Sequence, residues 1–124
     1  MIEEFNKWFE ELTIQDVPSV GGKNASLGEM IRALGEKGVR VPSGFAVTAY
    51  AYKYTMEKAG IDKQIQEILG DLDTHDVNNI AERGEKIRNL IKNTQLPPEL
   101  EEDIRKHYRE MEERYEENVD VAVR

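Results

Sequence analysis

The chain contains no cysteine. That absence excludes a disulfide framework and any thiolate metal centre, and it fits a reducing compartment. No hydrophobic run reaches membrane-spanning length, and the opening Met1-Ile2-Glu3-Glu4-Phe5 has neither the basic region nor the apolar stretch of a secretion signal. A cytoplasmic location is the expectation. Positive charge is in the minority. The 25 acidic side chains outnumber 17 basic ones, and the formal net charge of −8 disfavours non-specific nucleic-acid binding and favours solubility. At 124 residues the chain has the size of one domain, and it can bury roughly two-thirds of its unfolded surface.

What the chain does carry is the stretch Val20-Gly21-Gly22-Lys23-Asn24-Ala25-Ser26-Leu27-Gly28-Glu29-Met30. Two consecutive glycines allow positive φ or a close approach to a ligand, and helical spacing begins directly after them. Leu27, Met30, Ile31 and Leu34 stand at i, i+3, i+4 and i+7, which predicts a helix with one apolar stripe. The unpaired N–H groups of its first turn, the positive end of its dipole and the Lys23 ammonium would together suit a phosphate. The same glycine pair also serves as a plain turn before a helix. It is not a Walker A loop, because Val17 stands where that motif needs glycine and Asn24 where it needs a hydroxyl. Nor does it have the G-x-G-x-x-G spacing of a dinucleotide fold.

The run from Val17 to Met30 reads VPSVGGKNASLGEM, and the run from Val39 to Tyr52 reads VRVPSGFAVTAYAY. Together they closely resemble the N-terminus of the phosphoenolpyruvate synthase (pyruvate, water dikinase) family. The resemblance extends from about Trp8 to the last residue, where Val121-Ala122-Val123-Arg124 looks like the start of the family's V-A-V-R-S-S-A segment. From about Ile61 to Asn118 it is much less distinctive. Pyruvate, phosphate dikinase, the glucan water dikinases and rifampicin phosphotransferase open similarly, but the Asn-Ala-Ser-Leu-Gly-Glu-Met wording favours the synthase. The resemblance implies an α/β, helix-rich α+β fold, the N-terminal subdomain of an ATP-grasp-like nucleotide-binding domain with a small sheet. It makes residues 1–124 one domain, an excised piece of a longer enzyme whose phosphohistidine and pyruvate-binding domains lie elsewhere.

Ile2, Phe5, Phe9 and Leu12 suit one helical face, whereas the resemblance puts a short strand near Trp8 and Phe9, the reading preferred here. Thr13 followed by Asp16 approximates a capping box, and Pro18 is expected to end that turn. The helix opened by Lys23 is expected to run to about Gly35, with Gly35 suited to a left-handed cap and Gly38 a second exit. Val41-Pro42-Ser43-Gly44 predicts a turn, Phe45-Ala46-Val47 a buried strand, and Thr48 the N-cap of a helix that Gly60 stops. Tyr50, Tyr52 and Tyr54 point in different directions on a helix, so packing is preferred over ligand stacking. Three further helices are marked by Ile61, Ile65, Ile68 and Leu69, by Val77, Ile80, Ile87, Leu90 and Ile91, and by Leu100, Ile104, Met111 and Tyr115. The last is expected from Pro98 to about Glu117. Val119 to Val123 alternates with period two and predicts a third strand. Asp71, Asp73, His75 and Asp76 lack the glycine and glutamate spacing of an EF-hand and are read as a solvated loop. His107 is expected to be exposed or half-buried.

The resemblance implies ATP as cofactor and assigns its phosphates to Lys23 and Arg124, with Gly22 and Asn24 included because they flank Lys23. Only the resemblance singles out Arg124. No residue of the chain is assigned a catalytic or metal-binding role, and the Mg²⁺ ligands are expected outside it. The implied reaction transfers phosphate from ATP to a histidine and then to pyruvate, releasing AMP and phosphate. Since neither the histidine nor the pyruvate site is here, no turnover by this chain is expected, and only weak ATP affinity. The implied partners are ATP, the remaining domains of the parent enzyme and further copies in a homo-oligomer, with no nucleic acid and no membrane. A related dikinase with another acceptor and a noncatalytic helical interaction domain are the alternatives.

Overall fold

A computed structural model describes residues 3–115 and 119–124. Among these the chain forms two compact units, one of residues 1–52 with 98–124, the other of residues 53–97. No helix among the described residues is long and apolar enough to cross a membrane.

The first unit is built on a two-stranded antiparallel sheet. Strand β1 (Asn6–Trp8) pairs with β2 (Phe45–Val47), with Asn6 opposite Val47 and Trp8 opposite Phe45. The ladder continues past both ends: Phe9 N–H donates to Gly44 O over 2.9 Å, and Thr48 N–H to Phe5 O over 3.0 Å. The strand expected near Trp8 is therefore present, with Asn6 and Trp8 buried and Lys7 between them half-buried. After β1 the chain tightens into a 3-10 turn at Phe9–Glu11 and a second at Ile14–Asp16. The second turn carries the expected capping box: Thr13 N–H donates to Asp16 Oδ2 (2.8 Å) and Gln15 N–H to Thr13 Oγ1 (3.2 Å).

Pro18 opens a helix instead of ending one. It sits in the first turn of α1 (Val17–Val20), where its missing N–H costs no hydrogen bond. Helix α2 (Gly22–Gly35) follows at once, with the predicted extent. Its exit differs from expectation, because Gly35 stays helical and Gly38 takes the left-handed conformation, φ +77°. The face α2 buries is also not its apolar stripe. Ala25 and Gly28 are buried, while Leu27, Ile31 and Leu34 are only partly so and Met30 is exposed. Small residues win this face because the first 3-10 turn approaches so closely. A Cβ at Gly28 would stand 2.6 Å from Phe9 O and 2.7 Å from Leu12 O. The core here is Leu12, Val20, Ala25 and Ala46, with Phe9 packed against it.

Helix α3 (Ala49–Ala59) begins at Thr48, whose hydroxyl accepts the Ala51 N–H, and Tyr50 stacks on Phe5 at 5.7 Å between ring centroids. Two further helices complete the second unit. They are α4 (Ile61–Leu69), entered through left-handed Gly60, and α5 (Val77–Lys92), which packs against α4. Asp76 caps α5 by accepting the Asn78 and Asn79 N–H groups. Asp73 accepts the His75 N–H, and Asp71 pairs with Arg83, which also bonds the Ile68 carbonyl. These carboxylates are thus engaged in caps and an ion pair, and no group of three or more metal-ligating side chains gathers among the described residues.

Helix α6 (Pro98–Tyr115) returns to the first unit and packs on β1, burying Leu100 and Met111; the rest of its expected length lies outside the described residues. His107 is half-buried, within the expected range. It lies 5.1 Å from Trp8 and 5.2 Å from Phe45 between ring centroids. Its Nδ1 is 2.8 Å from the Asp103 carbonyl, which can only accept, so Nδ1 carries the proton. Arg114 packs its guanidinium 4.0 Å from the Trp8 ring centroid and bonds Glu10 at 2.7 Å.

The third predicted strand does not form. Residues 119–124 have no ladder partner among the described residues, because the sheet consists of β1 and β2 alone. Alternation confers a two-faced strand only where a neighbouring backbone is present to pair with. The segment is instead tied by the Tyr108 hydroxyl, which donates to the Val119 carbonyl.

Glu10 makes the junction of α6 with the chain beside the sheet sensitive to acid. Burial pushes its carboxyl up, but the Ser43 hydroxyl and the Arg114 guanidinium outweigh burial and hold it below its ordinary value. A lowered folded-state pKa means that this stabilisation is complete above the unfolded carboxylate value and is lost as pH falls through the folded one. Urea unfolding between pH 7 and pH 3, compared for the parent and Glu10→Gln, should show a parent advantage that shrinks on acidification. An advantage independent of pH would exclude a titrating Glu10.

Candidate functional site

A shallow, open groove of about 400 Å³ runs along the start of α2 in the first unit, lined by Ile14, Gly22, Lys23, Ser26, Leu27, Met30 and Arg124. Lys23, Leu27 and Met30 stand at i, i+4 and i+7, and Ser26 at i+3, so one side of two helical turns forms the floor. Ile14 reaches it because the capped 3-10 turn is tied across to the helix: Ile14 N–H donates to Glu29 Oε1 over 2.9 Å. The same carboxylate oxygen accepts from Arg32 at 3.0 Å. The one acid nearby on α2 is thereby occupied, and no acidic residue lines the groove.

The two glycines have separate tasks. Gly21 sits at φ +83°, ψ 162°, a region essentially closed to residues with a Cβ, and this sharp change of direction joins α1 to α2. Its own N–H bonds Val17 O at 2.8 Å. Gly22 has helical backbone, and a Cβ there would meet nothing within 4 Å. Gly22 therefore lines the groove, while Gly21 makes the turn. Alanine at Gly21 should cost about 1–3 kcal/mol in urea unfolding, whereas alanine at Gly22 should leave stability unchanged or raise it by about 0.5 kcal/mol. Equal losses at both positions would contradict this division.

The first intrahelical bond of α2 runs from Ala25 N–H to Gly21 O (3.1 Å). The N–H groups of Gly22, Lys23 and Asn24 thus have no acceptor within the helix, and Gly21 has no side chain to cap them. Lys23 and Arg124, 101 positions apart in sequence, bring two cations to this end. Three of the four residues expected at a phosphate site, Gly22, Lys23 and Arg124, therefore line one groove. The fourth does not. Asn24 turns its amide to the Val20 carbonyl at 2.8 Å, where it fastens α1 to α2. The sequence assigns no site role to Ile14, Ser26, Leu27 or Met30, although the helical spacing of the last three from Lys23 places them on its side.

Residues 17–124 match the family described as pyruvate phosphate dikinase, AMP/ATP-binding domain. The chain belongs to that family. Both Lys23 and Arg124 fall within the matched residues. Phosphoenolpyruvate synthase from Synechocystis is 50% identical over 122 residues, covering 94% of this chain and 15% of that protein. The probable phosphoenolpyruvate synthase of Staphylothermus marinus is 50% identical over 125 residues, covering 98% and 14%. The Escherichia coli phosphoenolpyruvate synthase is 44% identical over 117 residues, covering 94% and 15%. The chain thus spans about a seventh of the length of these curated relatives. As a member of this family it is helix-rich with a small two-stranded sheet.

Proposed function

We propose that this chain is the phosphate-gripping part of the ATP site of a phosphoenolpyruvate synthase. The observation that carries the reading is the groove itself: two cationic side chains and the free N–H groups of a helix start converge there with no acidic side chain among its lining residues. Such a donor set fits the polyphosphate of ATP. Lys23 supplies a compact charge and Arg124 a planar fork, and both neutralise phosphate oxygens as charge redistributes during transfer. The donor set does not fit Mg²⁺, which takes oxygen ligands and is held by carboxylates that this groove lacks. Its ligands then belong to another part of the enzyme.

In the complete enzyme ATP phosphorylates a histidine, the phosphohistidine passes its phosphoryl group to pyruvate, and water takes up the remaining phosphate, leaving AMP, phosphate and phosphoenolpyruvate. This chain grips and orients the nucleotide and contributes no nucleophile. The enzyme is cytoplasmic and homo-oligomeric in this reading, and the isolated chain binds ATP weakly and turns nothing over. The pyruvate, phosphate dikinases and related transferases would use the same groove with another acceptor, so the acceptor is read from the rest of the enzyme.

A heteronuclear NMR titration of the labelled chain with ATP tests the reading. Shifts are expected at the amides of residues 21–26 and at Arg124. Shifts centred instead on α4 and α5, or phosphoenolpyruvate made by this chain alone, would sink it.

A further inference from the structure

One groove residue is a hydroxyl with nothing to do in the fold. Ser26 is exposed, and its hydroxyl makes no hydrogen bond among the described residues. A helical serine either turns back to the carbonyl four residues earlier or points outward, and Ser26, whose Oγ does not bond Gly22 O, does the second. It lies one turn beyond Lys23 on the same side of α2, in the same groove as Arg124. Beyond it the floor becomes apolar at Leu27 and Met30.

We infer that Ser26 positions the polyphosphate, its hydroxyl donating to a non-bridging phosphate oxygen one helical turn past the Lys23 ammonium. This rests on the groove being a phosphate site. Three residues of helix advance about 4.5 Å along the axis, so Lys23 and Ser26 can hold neighbouring phosphates of one chain. The apolar residues that follow offer no donor, and the anion ends at Ser26. An extended polyphosphate therefore lies with one end at the Gly22–Lys23 turn and stops at the second turn of α2. The serine sets its direction, which charge alone leaves free, because an ammonium attracts an anion from any side.

The test titrates the chain and three variants with inorganic tripolyphosphate, with adenosine as the control that lacks phosphate. Ser26→Ala should weaken tripolyphosphate binding about tenfold with a melting temperature no lower than the parent's. Ser26→Thr, which keeps the hydroxyl, should bring affinity back to within about twofold of the parent. Adenosine should not distinguish the variants. Binding by Ser26→Ala at the parent's strength, while Lys23→Ala loses it, would overturn the role of Ser26 and leave the groove standing. Equal weakening in Ser26→Ala and Ser26→Thr would overturn it too, since the hydroxyl would then not be the group that matters. Binding unaffected by Lys23→Ala, or no saturable binding by the parent, would overturn the reading of the groove and this inference with it.

Discussion

Gly28→Ala is expected to destabilise the first unit by about 3 kcal/mol, the upper end of what an added methyl costs in a packed interior. The direction runs against helix propensity, since alanine is better than glycine by about 1 kcal/mol at an exposed helix-interior site. Packing decides the sign. The new Cβ would meet Phe9 O at 2.6 Å, Leu12 O at 2.7 Å and Leu12 Cβ at 2.8 Å. Two of these are backbone atoms that no rotamer change can move, so α2 and the first 3-10 turn must separate. Leu12 is fully buried and joins Val20, Ala25 and Ala46 in the core, so separation opens that core. A loss of this size is a large share of the roughly 5–15 kcal/mol by which domains are stable. Trp8 is the only tryptophan and is buried in β1, so its fluorescence during urea unfolding reports this unit. A midpoint equal to the parent's would mean that the two segments are not packed this closely.

Lys23→Ala is expected to weaken tripolyphosphate and ATP binding by about 30- to 100-fold while leaving the urea midpoint where it was. The affinity loss corresponds to about 2–3 kcal/mol, the range for a hydrogen-bonded charge. Lys23 is exposed and has no ion-pair partner among the described residues, so its removal leaves no stranded charge in the fold. Arg124→Ala should weaken binding comparably, and Arg124→Lys should restore only part of it, because an ammonium cannot bond two oxygens in the plane of a guanidinium fork. Added salt should narrow every one of these differences, since the groove is open to solvent. Calorimetric titration at low and high salt gives both readings. Parent-like affinity in Lys23→Ala would remove Lys23 from the site.

Local signals suffice where one residue type has one physical use. The hydroxyl of Thr48, the capping pair Thr13 and Asp16 and the stop at Gly60 all act through neighbours only a few positions away, as does the strand at Phe45–Val47, although only Ala46 of it is buried and Val47 is exposed. The readings that differed depend on distant neighbours. Leu27, Met30, Ile31 and Leu34 located α2 but not its buried face, because the 3-10 turn selects small Ala25 and Gly28. Residues 119–123 alternate as a strand does, yet a strand needs a partner that alternation cannot supply. Pro18 looked like a terminator, and its fixed φ suits a first helical turn equally well.

By itself the sequence determined the Gly21–Gly22–Lys23 turn into a helix, because backbone freedom, an abrupt onset of 3.6-residue periodicity and a cation are all properties of adjacent residues. It also determined that no thiolate chemistry belongs to this chain. Only the tertiary structure decided which glycine makes the turn, that Asn24 faces α1 and not the groove, and that Arg124 joins Lys23 and Ser26 in one groove. Those are facts of orientation and of separations in space between residues up to 101 positions apart. They are settled when α2 packs on the 3-10 turns and the last residues come back to its N-terminus, a closure no local pattern records.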